Sequence, residues 1–462
     1  MTRTRNSIKL TTECMDDKTN FWNLRFSVTI KHLLILCLLF PFSGNSQKLN
    51  VISVSEDLGD VKNILNQYHP NPWIRISESD WDIKCDSIME SLNESENISI
   101  NEFYSNLSFL LNLIRDEHTG AYLPDSIYQN LINGGGYFPF KIIHQNDALR
   151  LGEHLLGERN DNFKTPISSI NNIPSNQLIE KAKKLWIPSA SSNYEGTLYH
   201  AFNHDNFSKF FKLYVDQTNY FEIILESGDT IETIGVESIS KRFNTVNKAH
   251  SPELGIDEKN KTAVLKIDCF WPEAYGYSLR KAKAQLKKFF KKIESAQIEE
   301  LTIDLRGNRG GTPMYSVDLA NYLIDEPFNL FSAIYVNPNS YRDFHKKFKK
   351  FGKTRSEDHR VYLTELNKLF EGNGKRKYLF KGNILVLIDS GVGSAATMFL
   401  SRIEHMNNVE IKGEETHGAN NYTTGAEWQK FTLKNSMCTI SIPLVIFNHE
   451  KTSKTHSGIK TR

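Results

Sequence analysis

The stretch LVLIDSGVGSAATMFLSR, residues 385–402, decides how this chain is read. Its first residues are a continuous aliphatic run that predicts a buried strand. Gly391 and Gly393 interrupt that run, and the apolar periodicity from Ala395 onward predicts a helix. Ser394 therefore stands at a strand-to-helix corner. Two roles suit a serine there. It is either an N-cap whose hydroxyl accepts a backbone N–H, or a nucleophile. In the second role the next amide, that of Ala395, faces a developing oxyanion near the positive end of the helix dipole.

Working outward, the C-terminal half alternates strands and helices. Strands are expected at TAVLKIDCF (262–270), ELTIDLRGN (300–308), NILVLIDS (383–390) and VEIKGEE (409–415). Helices are expected between them, at residues 280–294, 315–325 and 395–406. This order predicts an α/β layout with a sheet covered on both faces. In the basic helix Ala282, Leu286, Phe289, Phe290 and Ile293 share one face, so its lysines belong to a solvated face and not to a binding patch. Upstream, residues 57–116 carry helical periodicity broken at HPNPW (69–73), where proline removes a donor and restricts its neighbour. Between the two lies a β-rich stretch with a turn at ESGD (226–229) and a helix after Pro174. The expected divisions are 1–46, 47–125, 126–250 and 251–462.

Composition excludes several classes. A net charge of +2 over 462 residues offers no field for nucleic acid or a membrane surface. KHLLILCLLFPFSGNSQ (31–47) has the layout of a secretory signal peptide cut after Ser46, and its apolar run is too short to span a bilayer. The mature chain is thus expected to be exported, with no membrane span, to a periplasmic, extracellular or surface-associated location. Beyond the leader only Cys85, Cys269 and Cys438 remain, which is no disulfide framework. No C-x-x-C or H-E-x-x-H occurs, so neither a metal nor any cofactor is implied.

DLRGNRGG (304–311) places three glycines after a strand, which suits either a tight turn or backbone N–H groups approaching a reacting oxygen. With SAAT (394–397) and GEETHG (413–418) in the same order, the chain resembles the S41 family of serine peptidases, the C-terminal processing and tricorn-like peptidases. ISSINN (167–172) is similar to the family's PDZ-like segment. The resemblance implies a crotonase/ClpP-like α/β peptidase core (251–462), a helical cap (47–125) and a PDZ-like module (126–250). It implies Ser394 as nucleophile and oxyanion donors at Ala395 and at Gly310 or Gly311.

The processing-peptidase branch has its basic lysine directly after GExTxG, where this chain has Ala419. The tricorn-like branch takes a histidine upstream in a D-G-H-T setting, and RDEHTG (115–120) puts His118 there, with Glu117 where glycine is usual. His417 is a rival base, and Glu450 is the carboxylate expected to orient His118. The implied activity is hydrolysis of peptides or unfolded proteins through an acyl-enzyme. Thr397, in place of the family's usual glutamate, keeps a silent peptide- or ligand-binding relative as the alternative. Sequence leaves the oligomeric state open.

Overall fold

The computed structural model describes residues 48–462 except 93–96, 159, 187–189, 191–197, 199–201, 203–205, 238–251, 273–277, 375 and 450–456. The expected signal peptide lies outside the described residues.

Three helices come first: α1 (Val51–Tyr68), α2 (Glu78–Leu92) and α3 (Ile100–Leu113). Asn50 and Ser99 cap α1 and α3 by accepting the amides of Ser53 and Glu102. The HPNPW break falls as expected, with His69 leaving α1 in an extended conformation. Asp57 on α1 is fully buried, and its carboxylate accepts the amides of Asn435 and Ser436 at 3.0 and 2.8 Å, clamping this helix to a turn near the C-terminus. After α3 a short strand, β1 (Gly120–Tyr122), begins two residues past His118.

The middle segment contains β2 (Phe140–Gln145), β3 (Ala148–His154), β4 (Ile167–Ile170), α4 (Ser175–Leu185), β5 (Tyr220–Leu225) and β6 (Thr230–Ile234). Its antiparallel strands enclose a separate apolar core in which Phe138, Phe207, Phe211 and Phe221 pack edge to face or stacked.

The C-terminal half is built on a five-stranded sheet. Its strands are β7 (Glu253–Asp257), β8 (Thr262–Lys266), β9 (Glu300–Asp304), β10 (Asn383–Ile388) and β11 (Val409–Gly413), adjacent in that order. β8 to β11 run parallel, and β7 is antiparallel at one edge. The connecting helices include α5 (Leu279–Ser295), α6 (Pro313–Ala320) and α7 (Ala395–Ile403). The five apolar residues expected on one face of α5 are all buried, as an amphipathic crossover on a parallel sheet requires.

A second sheet was not legible in the sequence. Two eleven-residue strands, β12 (Tyr422–Thr432) and β13 (Thr439–His449), form an antiparallel pair. β13 also pairs with Phe331–Val336 and with β1, so the segment after His118 is stitched onto the C-terminal half by Gly120–Ser441, Ala121–Ile440 and Tyr122–Thr439. β13 is buried on both faces, so it lacks the period-two alternation by which a strand is recognised. No helix among the described residues is long and apolar enough to cross a membrane.

His449 ends β13 and is 3% exposed. Its Nδ1–H donates to the Asn420 carbonyl at 2.9 Å and its Nε2 accepts the Thr423 hydroxyl at 3.0 Å, an arrangement that only the neutral ring permits. Burial pulls its pKa from 6.5 to about 4, against the opposing pull of the Asn420 bond. The folded value lies below the unfolded one, so the stability this ring contributes is complete above pH 6.5 and is lost as pH falls towards 4. Wild type is expected to lose of order 3 kcal/mol more than His449→Gln across that window, measured by urea denaturation at stepped pH.

Candidate active site

Strand β9 delivers DLRGNRGG to the end of the parallel sheet, and β10 beside it delivers the Ser394 corner. Two side chains lock these loops together. Asp389 Oδ1 accepts the amides of Gly307 at 2.8 Å and Gly391 at 3.0 Å. Buried Asn308 donates from Nδ2 to the Ile267 carbonyl at 2.8 Å and accepts the Gly310 amide at 2.8 Å, while its own carbonyl accepts the Gly393 amide at 3.1 Å. Gly310 and Gly311 have φ of 96° and 143°, and a Cβ on Gly310 would stand 2.6 Å from the Ala395 nitrogen and 2.7 Å from Ser394 Cβ. The glycines thus permit a close approach of two backbones.

Ser394 occupies the N-cap position of α7, yet its side chain makes no capping bond. Its backbone sits at φ 50°, ψ −126°, a region that non-glycine residues enter at a cost of order 1–3 kcal/mol. The cap reading therefore fails: the serine is held in strain by its loop while its hydroxyl stays out of the helix end. Thr397 turns back to donate to the Ser394 carbonyl at 2.8 Å, a structural use of the residue that departs from the family pattern.

The three candidate oxyanion donors separate into two kinds. The Gly310 amide is consumed by Asn308. The amides of Gly311 and Ala395 have no partner among the described residues.

His118 lies in the loop between α3 and β1, and it lines with Ser394 a single cavity of about 560 Å³. Its neighbour Asp116 is buried, with side-chain exposure of 4%. Oδ1 of Asp116 accepts the His118 amide at 3.0 Å and the Thr424 hydroxyl at 2.5 Å; Oδ2 accepts Thr119 Oγ1 at 2.8 Å and His69 Nε2 at 2.8 Å. Burial alone would raise this carboxyl, but the His69 hydrogen bond, the flanking histidines and Thr424 together hold it well below the usual carboxylate range.

The hydrogens in this network can be assigned. Thr424 spends its only proton on Asp116, so towards His118 Nδ1, 3.2 Å away, it can only accept. His118 therefore carries a proton on Nδ1, so in the neutral ring Nε2 holds the free lone pair. By the same logic the Asn71 amide donates to His69 Nδ1 at 3.1 Å, so His69 donates to Asp116 from Nε2. Trp428, turned by a bulge in β12, packs against His118 with ring centroids 5.9 Å apart. Among the described residues no hydrogen bond joins the Ser394 hydroxyl to His118.

Sequence reading missed Asp116, Thr424 and His69 in this arrangement. Asp116 had a signal, lying two residues before the candidate base. Thr424 lies 306 residues away and had none. Ala419 is buried beside a small void it shares with Asp116, Glu117 and Thr424, and its side chain has no basic group. His417 lines the main cavity. Glu414 and Glu415 are structural, accepting Ser390 Oγ at 3.0 Å and the Gly458 amide at 2.9 Å. Glu450 lies outside the described residues. No group of three or more metal-ligating side chains is present among them.

Residues 261–460 match the family model described as Peptidase family S41. Over that segment the chain is similar to the family. In fold it is similar to mature CPAF, with a TM-score of 0.58 at 13% identity over 89% of this chain and 92% of that one. The structure of mature CPAF complexed with lactacystin is similar to the same degree, with a TM-score of 0.59 at 14% identity over 89% and 93%. No curated protein matches the sequence. The chain thus has an α/β peptidase fold, and its C-terminal segment is similar to a peptidase family.

Asn308 is the joint between the two S41 loops. Asn308→Ala would leave the buried Ile267 carbonyl and Gly310 amide without partners, and unfolding in urea is expected to show a loss of about 3 kcal/mol.

Proposed function

We propose that this chain is an exported serine endopeptidase working through an acyl-enzyme on Ser394, with His118 as general base. The observation that carries the reading is the Asp116–Thr424–His118 chain, which in the neutral ring leaves Nε2 of His118 as the free base in the cavity that a strained, uncapped serine also lines. Ser394 Oγ attacks the substrate carbonyl carbon as its proton passes to Nε2. The imidazolium then protonates the leaving amine, the C–N bond breaks, and an ester to Ser394 remains. Water, deprotonated by the same nitrogen, hydrolyses that ester and returns the serine. The oxyanion is assigned to the amides of Ala395 and Gly311, since Gly310 donates elsewhere.

In this reading Asp116 orients the base through Thr424, a role that sequence order assigned to Glu450. The lysine mechanism has no support, because Ala419 stands at its place. The middle segment is proposed as a PDZ-like peptide-holding module. Trp186, Lys209, Phe210, Leu213 and Tyr214 from it line the cavity and support that role. The leader at 1–46 supports export. The missing Ser394–His118 bond favours the second reading, a silent peptide-binding relative, although such bonds often tighten only with substrate present.

Labelling with a fluorophosphonate separates the two. Wild type should label, Ser394→Ala should not, and His118→Ala should label at least about a hundredfold more slowly. Labelling that survives Ser394→Ala would end the serine reading, and a silent wild type would favour the binding protein. Thr424→Val should lower kcat by about ten- to a hundredfold with KM little changed, and Thr424→Ser should restore most of it, since only the hydroxyl sets the tautomer of His118.

A further inference from the structure

Glu117 is a carboxylate where the resemblance leads one to expect no side chain at all. Its Oε2 would lie only 2.8 Å from a Cβ built on Gly393, so the carboxylate covers the backbone immediately before the nucleophile. Its Oε1 is 3.9 Å from His118 Nδ1, and the side chain is 17% exposed. It lines the same cavity as Ser394 and His118. No lysine or arginine among the described residues forms an ion pair with it.

A carboxylate in this position has one unmet cost. It is largely withdrawn from water with no lysine or arginine paired to it among the described residues, and burial accordingly raises its pKa, against weaker opposing effects of His118, the Ser394 amide and Arg309. A cation brought by the substrate into the cavity would meet that cost.

The other charged or titratable groups around the cavity do not fill this need. Asp116 is saturated by four hydrogen bonds. Arg309 and Lys209 also line the cavity but are exposed, where solvent and salt screen them. Arg115 lies on the side of Arg75 and Tyr422, and acts on both. His417 lines the cavity from the GEETHG loop.

We propose that Glu117 is the specificity-determining residue of this site and selects peptides carrying a lysine or arginine side chain beside the scissile bond. The proposal rests on the serine peptidase reading for its position in the reaction. The test uses internally quenched peptides that differ only in one lysine against Nε-acetyl-lysine, scanned over the positions on either side of the cleaved bond. Wild type should cut the lysine peptide at least about tenfold better in kcat/KM at one position, the ratio expected of a charge-assisted hydrogen bond. In Glu117→Gln that ratio should fall to near one. Glu117→Gly, its folding checked by circular dichroism, should show the same collapse if the glutamine variant does not fold.

Calorimetric binding of the same peptides to Ser394→Ala separates this inference from the serine chemistry. The lysine preference should persist in Ser394→Ala and vanish in Ser394→Ala/Glu117→Gln. Hydrolysis retained in Ser394→Ala with the lysine preference intact would sink the serine reading and leave Glu117 standing. Equal handling of the two peptides by wild type, an unchanged ratio in Glu117→Gln, or no binding or cleavage of either peptide would overturn the Glu117 proposal.

Discussion

The buried carboxylate of Asp116 is the constraint on which the site depends. Its two oxygens accept four hydrogen bonds, from His69 at the end of α1, from Thr119 and the His118 amide in its own loop, and from Thr424 on β12. A carboxylate so far from water is tolerated only when its lone pairs are met, and here every partner comes with a piece of structure attached. The helical segment, the histidine loop and the second sheet are therefore held in one register. The same ion sets the direction of the Thr424 hydroxyl, and through it the tautomer of His118. Folding and the orientation of His118 share one anchor.

A similar economy joins the two loops at the ends of β9 and β10. Asp389 and Asn308 spend their polar atoms on backbone amides and carbonyls of both loops, which holds Gly310 against Ala395 at a distance that no other residue would allow. The consequence is selective. Gly310 gives up its amide to this scaffold, while Gly311 and Ala395 keep theirs. The strain at Ser394, with φ of 50°, is sustained by this same cross-linking.

Much of this was legible in the residues. The α/β alternation, the apolar face of α5 and the break at HPNPW follow from periodicity and from the chemistry of proline, and they appear where expected. DLRGNRGG and the Ser394 corner were readable as a pair because glycine at close backbone approach is a local requirement. β12 and β13 were not readable: a strand buried on both faces has no alternation, and its partner β1 lies more than 300 residues away. Glu450, inferred from order along the chain, rested on spacing alone, whereas Asp116 stood two residues from the histidine.

By itself the sequence determined which groups this protein has to work with: a serine at a corner, a glycine loop, a histidine after an aspartate, and alanine in place of a lysine. Those are properties of local chemistry. Only the tertiary structure decided how the protons and donors are shared. Which nitrogen of His118 is free depends on Thr424, and which glycine amide is free depends on Asn308. Hydrogen bonds between residues distant in the chain carry no signature in composition, period or spacing, since each donor is assigned by what folding brings within about 3 Å of it.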